Sequence, residues 1–504
     1  MKKILTIVSI LLFAVIIVAC GKKDFKVTFV TNGGTAVSAV DVKSGDKISE
    51  PTTTKKAHKV DGWYTTENFA EGTKWNFAED TVTANITLYV KWVEDNKGER
   101  IDFSDLLKPK TTIRVWMDDE KGDYMRALIA EFNNLYPEII VEHQHMGTVE
   151  SREKLKTFGP SGNGADVFQF PHDHLAQAKL EDLVLTLPNS TKTLLTERSH
   201  PVALQVATLD GEVVGVPNSL ESVGLYYNKD LVDTPATTFE ELLAEAAIWN
   251  AAPNADDATR TNAQAGVYYL GTSSHWADSY FMQFAYSAFG FTPFGPQLND
   301  PTSVGFNTPA TIAALTWMRD SLKPAVTGTG ATDSVTAGAN FENGKLPYII
   351  AGPWNAEAYK AKGLNYGIAK MPTIKVGDEN KETKTFAGAQ ITAVYKYSQN
   401  QDAAIKWVEF LTSDIAMKLQ YEYKYKLPAL KEELLQNIPG VLDDELMNMM
   451  SEQLATSVPM PVIPEVTYYW GPGEAMIKEI WNNNKAITTA VADAEASYKA
   501  LSGR

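Results

Sequence analysis

The chain has 504 residues, 44% hydrophobic and 21% charged, with one cysteine and a formal charge of −16. This length calls for two or more domains, and the composition is that of a folded protein. A single cysteine excludes an intramolecular disulfide framework and any four-cysteine metal site. The acidic balance, 62 Asp plus Glu against 46 Lys plus Arg, argues against general binding to nucleic acid or anionic lipid.

Lys2 and Lys3 precede an apolar run from Ile4 to Ala19, broken only by Thr6 and Ser9. A basic start, a run of marginal length for a membrane span and a small residue before the break describe a secretory signal. The string Ile17-Val18-Ala19-Cys20 resembles a bacterial lipobox. That resemblance implies a signal over 1–20, with Cys20 lipidated as the mature N-terminus and the protein anchored by its lipid to the extracellular face of the cell membrane. An ordinary signal with a coincidental cysteine is the alternative. The position of the chain's only cysteine at the expected cleavage point favours the lipobox.

Residues 25–93 read as a small, mostly β domain. Phe25, Val27 and Phe29 alternate with polar residues, Asn32-Gly33-Gly34 supplies a turn, and Ile86 to Trp92 alternates again. The ordered set Val27-Thr28-Phe29, Asn32-Gly33-Gly34, Gly62-Trp63-Tyr64 and Leu88-Tyr89-Val90-Lys91-Trp92 resembles the Listeria–Bacteroides (internalin B-type) repeat. That family is β-grasp-like and belongs to bacterial surface proteins. A spacer between membrane and main domain is the preferred role, and a surface-binding module the rival. Residues 94–111 are polar with Gly and Pro punctuation and read as a linker.

From 112 to 504 the periodicity is α/β. Thr112 to Trp116 alternates as a strand, and Met125, Leu128, Ile129, Phe132 and Leu135 fall at helical spacing before Pro137. Ile139 to Glu142 and Asp166 to Phe170 are further strands, and Thr238-Phe239-Glu240-Glu241 is a capping box opening a helix. A segment this long exceeds one comfortable core, so two α/β lobes with a cleft between them are expected.

Five ordered stretches give this segment a family resemblance. They are Val115 to Gly122; Gly164 to Phe168 with His172-Asp173; Glu221 with Leu225 to Leu231 and the capping box; Phe341 to Lys345 with Gly352-Pro353-Trp354 and Met371-Pro372; and Met460 to Pro464 followed by Trp470. Together they resemble the extracellular solute-binding proteins of carbohydrate ABC importers, most closely maltose/maltodextrin-binding proteins. The resemblance implies an α/β, two-lobed periplasmic-binding-protein fold with a hinge. Lobe 1 would comprise about 112–219 and 390–430, and lobe 2 about 222–388 and 431–504. The hinge would lie near Ser219-Leu220, Gly388-Ala389 and Pro428. It further implies an oligosaccharide ligand, ABC permease subunits as partners, a monomer without cofactor, and no catalysis.

A sugar offers hydroxyls, which carboxylates and cations pair, and flat C–H faces, which aromatic rings cover. By resemblance the polar set is Asp118, Glu120, Lys121, Asp173 and Glu221, and the stacking set Trp354 and Trp470. Trp276 and Tyr280 lie where the family has another ring, although core packing explains either equally well. Phe170 stands where maltodextrin binders usually have Trp, His174 where they have Arg, and Asp118 where they have a neutral Asn. These departures leave α-1,4-linked glucose less certain than an oligosaccharide.

Other readings compete. A solvated loop charge is the commoner fate of any single carboxylate, and paired carboxylates beside a sugar also serve a glycosidase. A surface adhesin acting through the β module is a further class. His143-Gln144-His145 and His172-Asp173-His174 each place imidazoles two residues apart, a weak metal signal. Gly162-Asn163-Gly164 and Thr327-Gly328-Thr329-Gly330 lack the Gly-Lys-Ser/Thr that a nucleotide loop needs, and read as turns.

Overall fold

Alternating apolar residues in the first hundred positions produce four strands: β1 (Asp24–Val30), β2 (Val40–Lys43), β3 (His58–Tyr64) and β4 (Ile86–Glu94). The computed structural model describes residues 23–56, 58–94, 110–326 and 335–504. The expected signal with Cys20, most of the expected 94–111 linker and the expected Thr327-Gly328-Thr329-Gly330 turn lie outside the described residues. The chain divides into two units, Met1–Lys108 and Pro109–Arg504.

The strands of the first unit form one sheet in the order β2-β1-β4-β3, with β1 and β4 parallel in a register from Val27↔Ile86 to Val30↔Tyr89. Its core is Val27, Phe29, Trp63, Leu88 and Val90, with the Phe29 and Trp63 rings edge to face at 5.3 Å. The Asn32-Gly33-Gly34 turn is pinned from β4. Asn32 Nδ2 donates to Val90 O at 2.7 Å, and Trp92 Nε1 donates to Thr31 O at 2.9 Å. Gly34 is required there, because a Cβ would meet the Trp92 ring at 2.5 Å.

In the second unit, β5 (Thr111–Met117), β6 (Ile139–His145) and β7 (Val167–Pro171) are parallel and joined by α1 (Asp123–Leu135) and α2 (Thr148–Phe158). Helix α1 turns Tyr124, Met125, Leu128 and Phe132 into the core, as its spacing predicts, while Leu135 stays exposed at its end. β8 (Val216–Glu221) then carries the chain out. β9 (Gly224–Asn228) opens a second sheet with β10 (Leu270–Thr272), β11 (Tyr348–Ala351) and β12 (Tyr366–Ala369), ordered β10-β11-β9-β12. Helix α3 (Phe239–Ala251) follows β9 and starts at the expected Thr238/Glu241 capping box; α4 (Ala356–Ala361) lies between β11 and β12. β13 (Phe386–Val394) and β14 (Leu427–Pro428) return to the first sheet, flanking α5 (Asp414–Lys424), and give it the order β14-β8-β13-β7-β5-β6. Helix α6 (Trp470–Asn483) packs on the second sheet's core.

Two sheets, each with a cluster of its own and joined by a third that runs from Leu220 and Leu427 to Ile349 and Ile368, make the fold two-lobed and mixed α/β, preceded by a small β domain, as expected. The sheet changes fall beside the positions named from sequence. Leu220 pairs with Ala389 and Glu221 with Gly388 inside the β8/β13 ladder, so those residues are held within the first sheet. The chain crosses instead at Ser222-Val223 and between β12 and β13. There the Ser222 hydroxyl lies 2.7 Å from that of Thr385, which lies 2.9 Å from that of Ser457. Three passing segments are thus tied by a buried hydroxyl chain at the hinge.

Candidate functional site

The loops that follow β5 and β7 and the last residue of β8 share one side of the first sheet, where open α/β sheets hold their ligands. From these come Asp118 to Lys121, Asp173 and Glu221. The facing side chains come from the second lobe: Tyr280 from the segment after β10, Trp354 from the turn after β11, and Trp470 from the start of α6.

The aromatic side is one cluster. The Tyr280 ring centroid lies 6.3 Å from Trp354, 6.4 Å from Trp470 and 5.8 Å from Phe386, with near-parallel planes in the last pair. Trp354 is 40% exposed, which is unusual for an indole and leaves a face for a ligand. Tyr280 is half-buried, and its hydroxyl is held well above the usual phenol range, first by burial and then by the charges of Glu221, Asp173 and Asp278.

Asp173, only 6% exposed, accepts a hydrogen bond from Trp470 Nε1 at 3.1 Å across the two lobes. Glu221 is buried at the end of β8. Gln390 Nε2 donates to its Oε1 at 2.7 Å, Lys426 Nζ stands 3.9 Å from Oε2, and Oε2 has no hydrogen-bond partner. Burial pushes the Glu221 carboxyl up from its ordinary value, opposed by Lys426 and Gln390 and reinforced by Asp173. His172, beside Asp173, accepts from Ala389 N–H at Nδ1 (3.1 Å), which leaves Nε2 facing Met460 O at 3.4 Å. Burial lowers its basicity, so the imidazole is a neutral brace between β7 and β13.

The remaining sequence candidates separate. Lys121 Nζ donates to Glu357 Oε1 of α4 at 2.8 Å. Asp118 is exposed, 3.5 Å from His145 Nδ1, and Glu120 is exposed as well. Between them Asp119 is 3% exposed; its Oδ2 accepts from Met125 N–H at the start of α1, and its Oδ1 lies 3.3 Å from Lys424 Nζ. Two expectations need correction. Phe170 is fully buried and stacks on Phe168 at 4.8 Å, because β7 is a central strand with both faces covered. Trp276 is 2% exposed and lies parallel to Trp481 at 6.3 Å in the second lobe's core. Neither ring reaches the cleft.

Sequence reasoning missed Gln390, Lys424, Lys426, Glu357 and Asp278. Asp278 alone left a local signal, a Ser-x-x-x-Asp spacing in which Ser274 Oγ donates to Oδ2 while Oδ1 takes the Tyr280 N–H at 2.9 Å. Among the described residues no group of three or more His, Cys, Asp or Glu is arranged to hold a metal ion. His143 Nε2 instead lies 3.0 Å from Met117 O. Gly162 ends a short helical turn in the left-handed region, as a turn residue would.

This architecture matches known proteins along most of its length. The model of the bacterial extracellular solute-binding proteins covers residues 127–446, and that of the Listeria–Bacteroides repeat domain covers 25–91. A galactooligosaccharide-binding protein of Bacillus subtilis is 28% identical over 400 residues, 77% of this chain and 89% of the relative. A maltodextrin-binding protein of the same organism is 28% identical over 394 residues, 76% of this chain and 88% of the relative. The crystal structure of a cyclo/maltodextrin-binding protein complexed with maltotetraose superposes with a TM-score of 0.63 at 27% identity, over 78% of this chain and 97% of that one.

Proposed function

Because the chain belongs to the bacterial extracellular solute-binding protein family, we propose that it captures an oligosaccharide of the maltodextrin type between its lobes and delivers it to the permease of an ABC importer. It binds its solute without transforming it, in keeping with relatives that are sugar-binding proteins. The observation that carries the sugar reading is the hydrogen bond from Trp470 to Asp173 across the lobes, which sets a buried carboxylate of one lobe beside the Tyr280, Trp354 and Trp470 rings of the other. Carboxylates accept pairs of sugar hydroxyls, and the aromatic faces cover the ring C–H surface.

In this reading lobe closure about the Ser222/Thr385/Ser457 hinge buries the sugar, and the closed form docks on the permease. The protein acts as a monomer, the lipid on Cys20 holds it at the outer membrane surface, and the β module is a spacer. Tryptophan fluorescence and calorimetry against maltodextrins and galacto-oligosaccharides test the assignment, because the two Bacillus relatives differ in the sugar they are named for. Saturable binding to one series is expected, and silence across both would remove the sugar reading. Labelling with a clickable fatty acid tests the anchor: wild type should carry label and Cys20→Ser should not.

A further inference from the structure

One edge of the interlobe cleft is closed by charge. Lys121 follows β5 and Lys424 ends α5; both elements pack on the first lobe's core. Glu357 sits on α4, between two strands of the second lobe's sheet. Lys121 Nζ lies 2.8 Å from Glu357 Oε1, and Lys424 Nζ lies 2.9 Å from Oε2, so each carboxylate oxygen receives its own ammonium. Lys424 is held from behind by buried Asp119, which α1 fixes through the Met125 N–H. These groups line a cavity of about 390 Å³ with Tyr423 and Lys360.

We propose that Glu357 is a latch, which the ion-pair chain Asp119–Lys424–Glu357–Lys121 uses to hold the lobes together whether or not sugar is bound. Exposed pairs contribute little, because water screens them and two long side chains must be ordered. This chain differs in three ways. Lys424 and Glu357 are largely shielded, with 19% and 30% of their side chains exposed, and Lys121, 65% exposed, adds the weaker outer link. Asp119 pre-orders Lys424, so less freedom is lost on closing. The charges also alternate in sign, so every neighbour attracts. Burial alone would push the Glu357 carboxyl up, yet the two lysines leave it below its ordinary value. Glu357 also holds Lys121, which the sugar reading assigns to the ligand, at the edge of the cleft.

That placement gives the test a sign, because without Glu357 neither the lobes nor Lys121 is held ready for the sugar. Its affinity arm rests on the proposed sugar binding, whereas its scattering arm does not. The full chain without sugar is measured by small-angle scattering as wild type, Glu357→Gln and Lys424→Gln, with circular dichroism melts to confirm folding. A latch predicts a larger radius of gyration for both variants, matched by wild type at high salt. It also predicts about fivefold weaker binding of the sugar found in the panel, through faster release. An unchanged radius in both variants, or tighter sugar binding by Glu357→Gln because Lys121 is freed, overturns the latch. Should no sugar bind, the scattering arm still decides it.

Discussion

Trp470 and Asp173 meet across the lobes through a single hydrogen bond of 3.1 Å, from an indole N–H to a carboxylate oxygen. The donor starts a helix of the second lobe and the acceptor lies just past a strand of the first. In the proposed function closure and recognition would draw on the same two side chains, since an arriving hydroxyl would seek the same carboxylate.

Asp173→Asn keeps the shape and removes the charge. Sugar affinity should fall about tenfold or more, the scale of a hydrogen bond to a charged group. Calorimetry on wild type and variant checks this, and equal affinities would place the sugar elsewhere.

Two tryptophans should respond in opposite ways. Trp354 is 40% exposed, so Trp354→Ala should leave the melting temperature nearly unchanged while costing at least ~1 kcal/mol of sugar binding. Trp276 is buried against Trp481, so Trp276→Ala should lower stability by about 3–5 kcal/mol. Chemical denaturation and titration of both variants separate packing from binding.

Glu221 gives a pH signature. Its carboxyl is raised in the fold by burial, so the fold favours the neutral form. That contribution is fully present below the ordinary glutamate range and is lost as pH rises through the raised value. Glu221→Gln, a permanently neutral mimic, should therefore melt with wild type below the ordinary glutamate range and above it at higher pH. The same variant should bind sugar more weakly at pH values above the raised one, where wild type carries the carboxylate. Melts across a pH series reveal the widening gap, and a gap that narrows with pH would contradict the burial account.

Deleting residues 25–93 should leave sugar affinity within about twofold, a change well under 1 kcal/mol. The module has its own core of Val27, Phe29, Trp63, Leu88 and Val90, and supplies none of the cleft side chains named above. A larger loss would make the module a partner in binding.

Whatever depends on local periodicity was legible in the sequence. Helix α1, the Thr238/Glu241 capping box and the Asn32-Gly33-Gly34 turn could all be read from neighbouring residues. The order of five motifs also pointed to Asp173 and Trp470, which the fold joins by a hydrogen bond. Burial of single rings could not be read. Phe170 and Trp276 have the right chemistry, but strand position and a partner ring 205 residues away, Trp481, decide which way they face. The charge chain was hidden for the same reason. Glu357 and Lys424 lie in unremarkable helical segments and become a pair only when α4 and α5 meet. At the β5 loop the buried carboxylate is Asp119, a residue away from both neighbours singled out, and only its tie to Met125 marks it.

The β1/β4 pair of the small module carries a mechanical meaning. The strands are parallel and adjacent, so the chain enters at the start of β1 and leaves at the far end of β4. A pull between those ends runs along both strands in opposite directions and loads their backbone bonds together, in shear rather than one after another. A module strung that way yields only when those bonds give together.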